Sequence, residues 1–173
     1  MTYALANGET VVTGHFLYSD RAFRAFREHY GFITVLRAPE SRMISHYGYI
    51  KATGELESSF DDFLQSPLAR RHGSEMTRYL FGTPDRREDQ LAEALELAKQ
   101  NLRNFAVVGF TDAMDTFAKD FKAAFQVPLK IPRRNTAKGA KPTLSSDQTA
   151  ALKRIGAIDQ ELYDWARANV RQG

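Results

Sequence analysis

Arg37 and Ser45 stand eight residues apart in Thr34–Val35–Leu36–Arg37–Ala38–Pro39–Glu40–Ser41–Arg42–Met43–Ile44–Ser45. The apolar stretch Phe32–Leu36 runs straight into Arg37, and Pro39 stands where a helix would begin. A helix start offers unpaired backbone N–H groups and a partial positive charge, and both favour an anion. A guanidinium adds a planar fork of donors that matches phosphate oxygens, and a serine adds a hydroxyl. Charge-assisted hydrogen bonds of this kind contribute about 1.5–3 kcal/mol each. The chemistry implied is phosphate binding at the carboxyl end of a strand. An ordinary strand–turn–helix with surface arginines has the same spacing, so spacing alone leaves both readings open. Arg42 shares a helix face with Ser45 and suits either a phosphate contact or a structural ion pair.

Elements must hold these residues in place. Thr10–Thr13 reads as a short strand and Phe32–Leu36 as a second, whose unbroken apolar run suits burial on both faces. Phe105–Phe110 reads as a third strand. Helices are predicted from Asp20 (as cap) to Tyr30, from Pro39 to Ala52, after Ser59, from Pro67 to Leu80 and from Pro84 to Leu102. Thr111 or Asp112 can cap a further helix striped by Met114, Phe117, Phe121 and Phe125. Ser145–x–x–Gln148 is a capping box, and its helix breaks at Gly156 and restarts near Asp159, burying Ile158, Leu162 and Trp165. Strands alternating with helices predict an α/β fold, a parallel sheet flanked by helices.

Composition narrows the classes. A chain of 173 residues with 43% hydrophobic residues fits one domain, residues 1–173. The absence of cysteine rules out disulfides, a thiolate nucleophile and thiolate metal sites, and fits the cytoplasm. A net charge of +3 admits an anionic ligand without calling for nucleic acid. No apolar run approaches the ~20 residues of a membrane span. No histidine–carboxylate group has metal-ligand spacing, so no metal is expected. From Lys130 to Pro142 the chain carries five basic residues, no acidic ones, two prolines and a glycine, which predicts a basic loop. Of the four histidines, His15 follows Gly14 at the predicted end of a strand. His46 lies beside Ser45, while His29 and His72 read as surface groups.

Several of these segments resemble sulfotransferases, in the branch related to heparan sulfate 2-O-sulfotransferase. Arg37–x–Pro39–x–x–Arg42–x–x–Ser45 resembles the segment that holds the 3′-phosphate of 3′-phosphoadenosine 5′-phosphosulfate, and His46–Tyr47–Gly48–Tyr49–Ile50–Lys51 resembles the aromatic run after it. Thr13–Gly14–His15–Phe16–Leu17–Tyr18 is similar to that branch's Gly–His–x–x–Tyr segment, and Val107–Val108–Gly109–Phe110–Thr111 to its later core strand. Arg133–Arg134–Asn135–Thr136–Ala137–Lys138 resembles the basic loop that closes over the donor.

The resemblance implies a P-loop-NTPase-like sulfotransferase fold and transfer of a sulfonate to a carbohydrate hydroxyl without a metal. It implies His15 as base, and Arg37, Ser45, Arg133, Arg134, Thr136 and Lys138 as donor-binding residues. Relatives begin with a strand, a lysine-bearing loop and a helix that hold the 5′-phosphosulfate; Met1–Glu9 has no lysine and no room for that unit. The chain thus reads as lacking its first strand–loop–helix, with the transfer step lost or incomplete and exposed apolar faces favouring self-association. A non-enzymatic nucleotide- or polyanion-binding remnant is the alternative.

Overall fold

The computed structural model describes residues 2–83, 90–131 and 143–170. In chain order the elements are α1 (Thr2–Ala6), α2 (Asp20–Phe26), β1 (Ile33–Leu36), α3 (Pro39–Ala52), α4 (Phe60–Gln65), α5 (Pro67–Gly73), α6 (Glu75–Phe81), α7 (Leu91–Leu102), β2 (Val107–Phe110), α8 (Met114–Phe125), α9 (Ser146–Ile155) and α10 (Ala157–Asn169). Helices predominate, and the sheet among the described residues has two parallel strands, with Ile33 opposite Val107 and Leu36 opposite Phe110. Parallel neighbours require a crossover, here made by α3 to α7. This arrangement is compatible with the α/β class.

The predicted first strand does not form. Thr10–Thr13 has no ladder partner, and Val11 is 74% exposed. Burial of β1 on both faces is also corrected. All four residues of β2 are buried, whereas Ile33 and Val35 of β1 are about 40% exposed. The cause is the placement of α8, which lies over β2. At Gly109 an added Cβ would sit 2.4 Å from the Phe117 ring, so the lack of a side chain lets the helix approach the strand.

The predicted helix from Pro67 to Leu80 is two helices. Gly73 packs against the backbone of Ile155, and Ser74 leaves helical geometry with φ −119° and ψ 18°. The chain restarts as α6, which Gly82 closes in the left-handed region at φ +99°. Ser19, rather than Asp20, caps α2. Neither Thr111 nor Asp112 caps α8. The capping box Ser145–Gln148 and the break at Gly156 occur as predicted, and Ser59 forms a second box with Asp62.

Two apolar clusters result. One gathers Leu36, Leu80, Leu95, Leu102, Val108, Phe110 and Leu162 around β2, α6, α7 and α10. The other gathers Met43, Ile50, Phe63, Leu64 and Leu152 between α3, α4, α5 and α9. Helix α10 packs against α3, α5, α6, α7 and α9 and so touches both groups of elements.

Candidate functional site

Strand β1 ends at Leu36, whose carbonyl accepts from Thr111 N–H at 2.9 Å. Arg37 therefore emerges at the carboxyl end of the sheet, half-buried, beside Thr111. Helix α3 begins two residues later with Pro39 at its first position, and Ala38 supplies no side-chain cap. The first turn of α3, which begins two residues after Arg37, thus has no side-chain cap for its N–H groups. Arg37 makes no hydrogen bond or ion pair with any other described residue. This is the arrangement expected of an anion site at the end of a strand.

Ser45 lies farther along α3, exposed, on the face that also carries Arg42, His46 and Tyr49. Arg42 takes the structural role. It pairs with Glu75, donates to the carbonyl of His72, and reaches Asp159 Oδ2 at 2.7 Å. Asp159 is fully buried and also accepts from Met76 N–H and Thr77 N–H at 2.9 Å and from Thr77 Oγ1 at 2.7 Å. A carboxylate on α10 thus caps α6, whose own preceding residue, Ser74, supplies no cap. Burial pushes the Asp159 carboxyl above the usual carboxylate range, with Arg42 and the α6 donors pulling the other way.

His15 is exposed in the connection between α1 and α2. It does not follow a strand, because none forms before it. His29 is exposed beyond α2. His72, read as a surface group, instead has a side chain only 14% exposed and packs against His46 with 3.7 Å between ring centroids. Arg133, Arg134, Thr136 and Lys138 lie outside the described residues.

Two cavities border this region. One, about 670 Å³, is lined by Pro39 and Glu40 of α3 together with Lys99, Leu152, Gly156 and Trp165. The other, about 640 Å³, is lined by Tyr18, Asp20, Arg24, Gly82, Gln100 and Asn101. The first touches the α3 start next to Arg37, and the second follows His15 in the chain. Arg37, Ser45 and His15 line neither.

Sequence reasoning missed the partners. Beyond β2, Asp112 pairs with Arg167, whose Nη2 donates to Tyr163 Oη at 2.8 Å and whose guanidinium lies 4.4 Å from the Phe110 ring centre. Asp159 did leave a signal: Ile155, Asp159, Leu162 and Ala166 follow helical spacing, so a carboxylate falls on an apolar stripe. Among the described residues no group of histidine and carboxylate side chains is arranged to hold a metal ion, and no helix is long and apolar enough to cross a membrane.

Over 90 residues the chain is 30% identical to heparan-sulfate 6-O-sulfotransferase 1-B of Danio rerio. The match covers 51% of this chain and 22% of that protein, so the chain spans about a fifth of the curated relative it matches. No family model matches the chain, and no solved structure does. The match supports a distant relationship to sulfotransferases. It names a 6-O enzyme, whereas the motifs resemble the 2-O branch.

Proposed function

We propose that this chain is a sulfotransferase-type domain that binds 3′-phosphoadenosine 5′-phosphosulfate at the carboxyl end of β1 and serves sulfonate transfer to a carbohydrate hydroxyl. One observation carries the reading: Arg37 stands half-buried beside an uncapped helix start, with no partner among the described residues. Burying part of a guanidinium without an anion is costly, and a ribose phosphate supplies the missing charge. The distant match to a sulfotransferase supports the identity of that phosphate.

In this reading Arg37 and the first N–H groups of α3 hold the 3′-phosphate, and Ser45 adds a hydroxyl contact. Arg133, Arg134, Thr136 and Lys138 contact the nucleotide from the basic loop. The acceptor oxygen attacks sulfur in line as the bond to the bridging oxygen breaks, leaving 3′,5′-adenosine bisphosphate. His15 takes the acceptor's proton. A positioned general base contributes about 10²–10⁴-fold to such a step, and positioning supplies much of the rest.

A second reading, binding without transfer, is favoured by one observation. His15, Arg37 and Ser45 share neither described cavity. Calorimetry with 3′,5′-adenosine bisphosphate tests the binding common to both. Arg37→Ala should weaken binding more than ~10-fold, the loss of about 1.5–3 kcal/mol expected for a charged hydrogen bond. Unchanged affinity would remove Arg37 from the site. Sulfonate transfer to a glycan separates the two readings: turnover abolished by His15→Ala supports catalysis, and binding without turnover supports the remnant.

A further inference from the structure

His46 and His72 meet at the junction of α3 and α5, with ring centroids 3.7 Å apart and planes inclined by 42°. His72 Nδ1 lies 3.2 Å from Glu75 Oε2, and the same carboxylate oxygen pairs with Arg42. The charged and titratable groups that act on the two rings come from α3, the turn after it, α6 and α10. Arg42 lies on α3, Glu55 in the turn after it, Glu75 on α6, and Asp159 on α10 behind Arg42. Asp159 is committed to Arg42 and to the start of α6.

One proton can be accommodated here. An imidazolium at His72 would face Glu75 directly, and the shared proton would replace a polar contact with an ion pair. A second proton meets a different field. His46 would carry its charge against the first imidazolium and near Arg42, with Glu75 already serving two cations. Like charges at ring-contact distance repel strongly when partly removed from water.

We propose that the His46–His72 contact is a pH-sensitive latch between α3 and α5, closed while at most one ring is charged and loosened when the second proton binds in mildly acidic solution. Partial burial, then the neighbouring His72, push His46 below the ordinary histidine value, in the direction the geometry requires. The sign follows from linkage. A histidine whose folded value lies below its unfolded one stabilises fully above the unfolded value, near pH 6.5, and loses that contribution as pH falls through the folded value. Because Ser45 immediately precedes His46, the opening would be felt at the proposed phosphate site. The latch itself does not depend on that function.

The test follows the ring protons of all four histidines of the full chain by NMR from about pH 8 to about pH 4.5, alongside urea unfolding. The rings of His46 and His72 should titrate in two linked steps, and His46→Gln should reduce His72 to one step. Between about pH 7.5 and about pH 5 the wild-type folding equilibrium constant should fall further than that of His46→Gln, because the variant lacks the ring whose protonation opposes the folded contact. His72→Gln provides a second variant if the first does not fold, and the wild-type titration stands by itself. Independent single-step titration of both rings, or equal pH dependence in wild type and variant, would overturn the proposal.

Discussion

Replacing Asp159 by alanine should unsettle three helices at once. The carboxylate is fully buried and receives four hydrogen bonds: two backbone N–H groups and a hydroxyl of α6, and the guanidinium of Arg42. Each neutral donor left buried without an acceptor costs about 1–3 kcal/mol. Removing one side of a buried ion pair costs about 3–5 kcal/mol, because the other charge stays behind. These costs overlap: Arg42 keeps Glu75, and water can enter the space left by the carboxylate. The expected loss is therefore about 3–5 kcal/mol, a large share of the ~5–15 kcal/mol that holds a domain together. Urea unfolding followed by circular dichroism near neutral pH measures it. Adding Arg42→Met removes the stranded cation, so the double variant should be more stable than the sum of the single losses implies by at least ~1 kcal/mol. A loss below ~1 kcal/mol for Asp159→Ala, or strict additivity in the cycle, would refute the buried hub.

Two glycines should respond in opposite directions. At Gly73 a Cβ would sit 2.3 Å from the Ile155 carbonyl oxygen, so Gly73→Ala must push α5 from α9, at about 1–3 kcal/mol. Gly48 lies inside α3 with nothing within 4 Å of an added Cβ, so Gly48→Ala should stabilise by about 0.5–1 kcal/mol. Thermal melts of both variants check the pair. Burial, the largest single influence on Glu75, pushes its carboxyl up, but the hydrogen bond from His72 and the charges of Arg42 and both histidines outweigh it and hold the group low. A carboxyl held low stabilises above its unfolded value and loses that contribution as pH falls through the folded one. Glu75→Gln should therefore flatten the decline in stability between about pH 5 and about pH 3, measured by urea midpoints.

Local signals in the sequence were reliable where one short segment decides the outcome. Pro39, the Ser145–Gln148 pair and the Gly156 break each act within a few residues, and each occurs in the structure. The parallel relation of Phe32–Leu36 and Phe105–Phe110 was legible from the helices between them. Two local caps shifted or were lost, with Ser19 in place of Asp20 at α2 and neither Thr111 nor Asp112 at α8; the larger failures needed partners distant in the chain. Thr10–Thr13 has strand composition but nothing to pair with. The continuous pattern Pro67–Leu80 hid a break imposed by Ile155 and Asp159 from the far end of the chain. At the candidate site, Arg37 sits at the strand end as the motif implied, and Arg42 is taken by Glu75 and Asp159. His15 lost its predicted support when the first strand did not form.

Asp159 joins groups 82 to 117 positions away in the chain. Closing a loop that long costs entropy that grows with the logarithm of its length, and no contact rewards the chain until the ends meet. The start of α6 and the inner face of α3 therefore stay short of their acceptor until α10 docks. Assembly of the described fold should wait on α10, and a nascent chain that has not yet emerged through residue 159 carries the earlier helices without the group that ties them together.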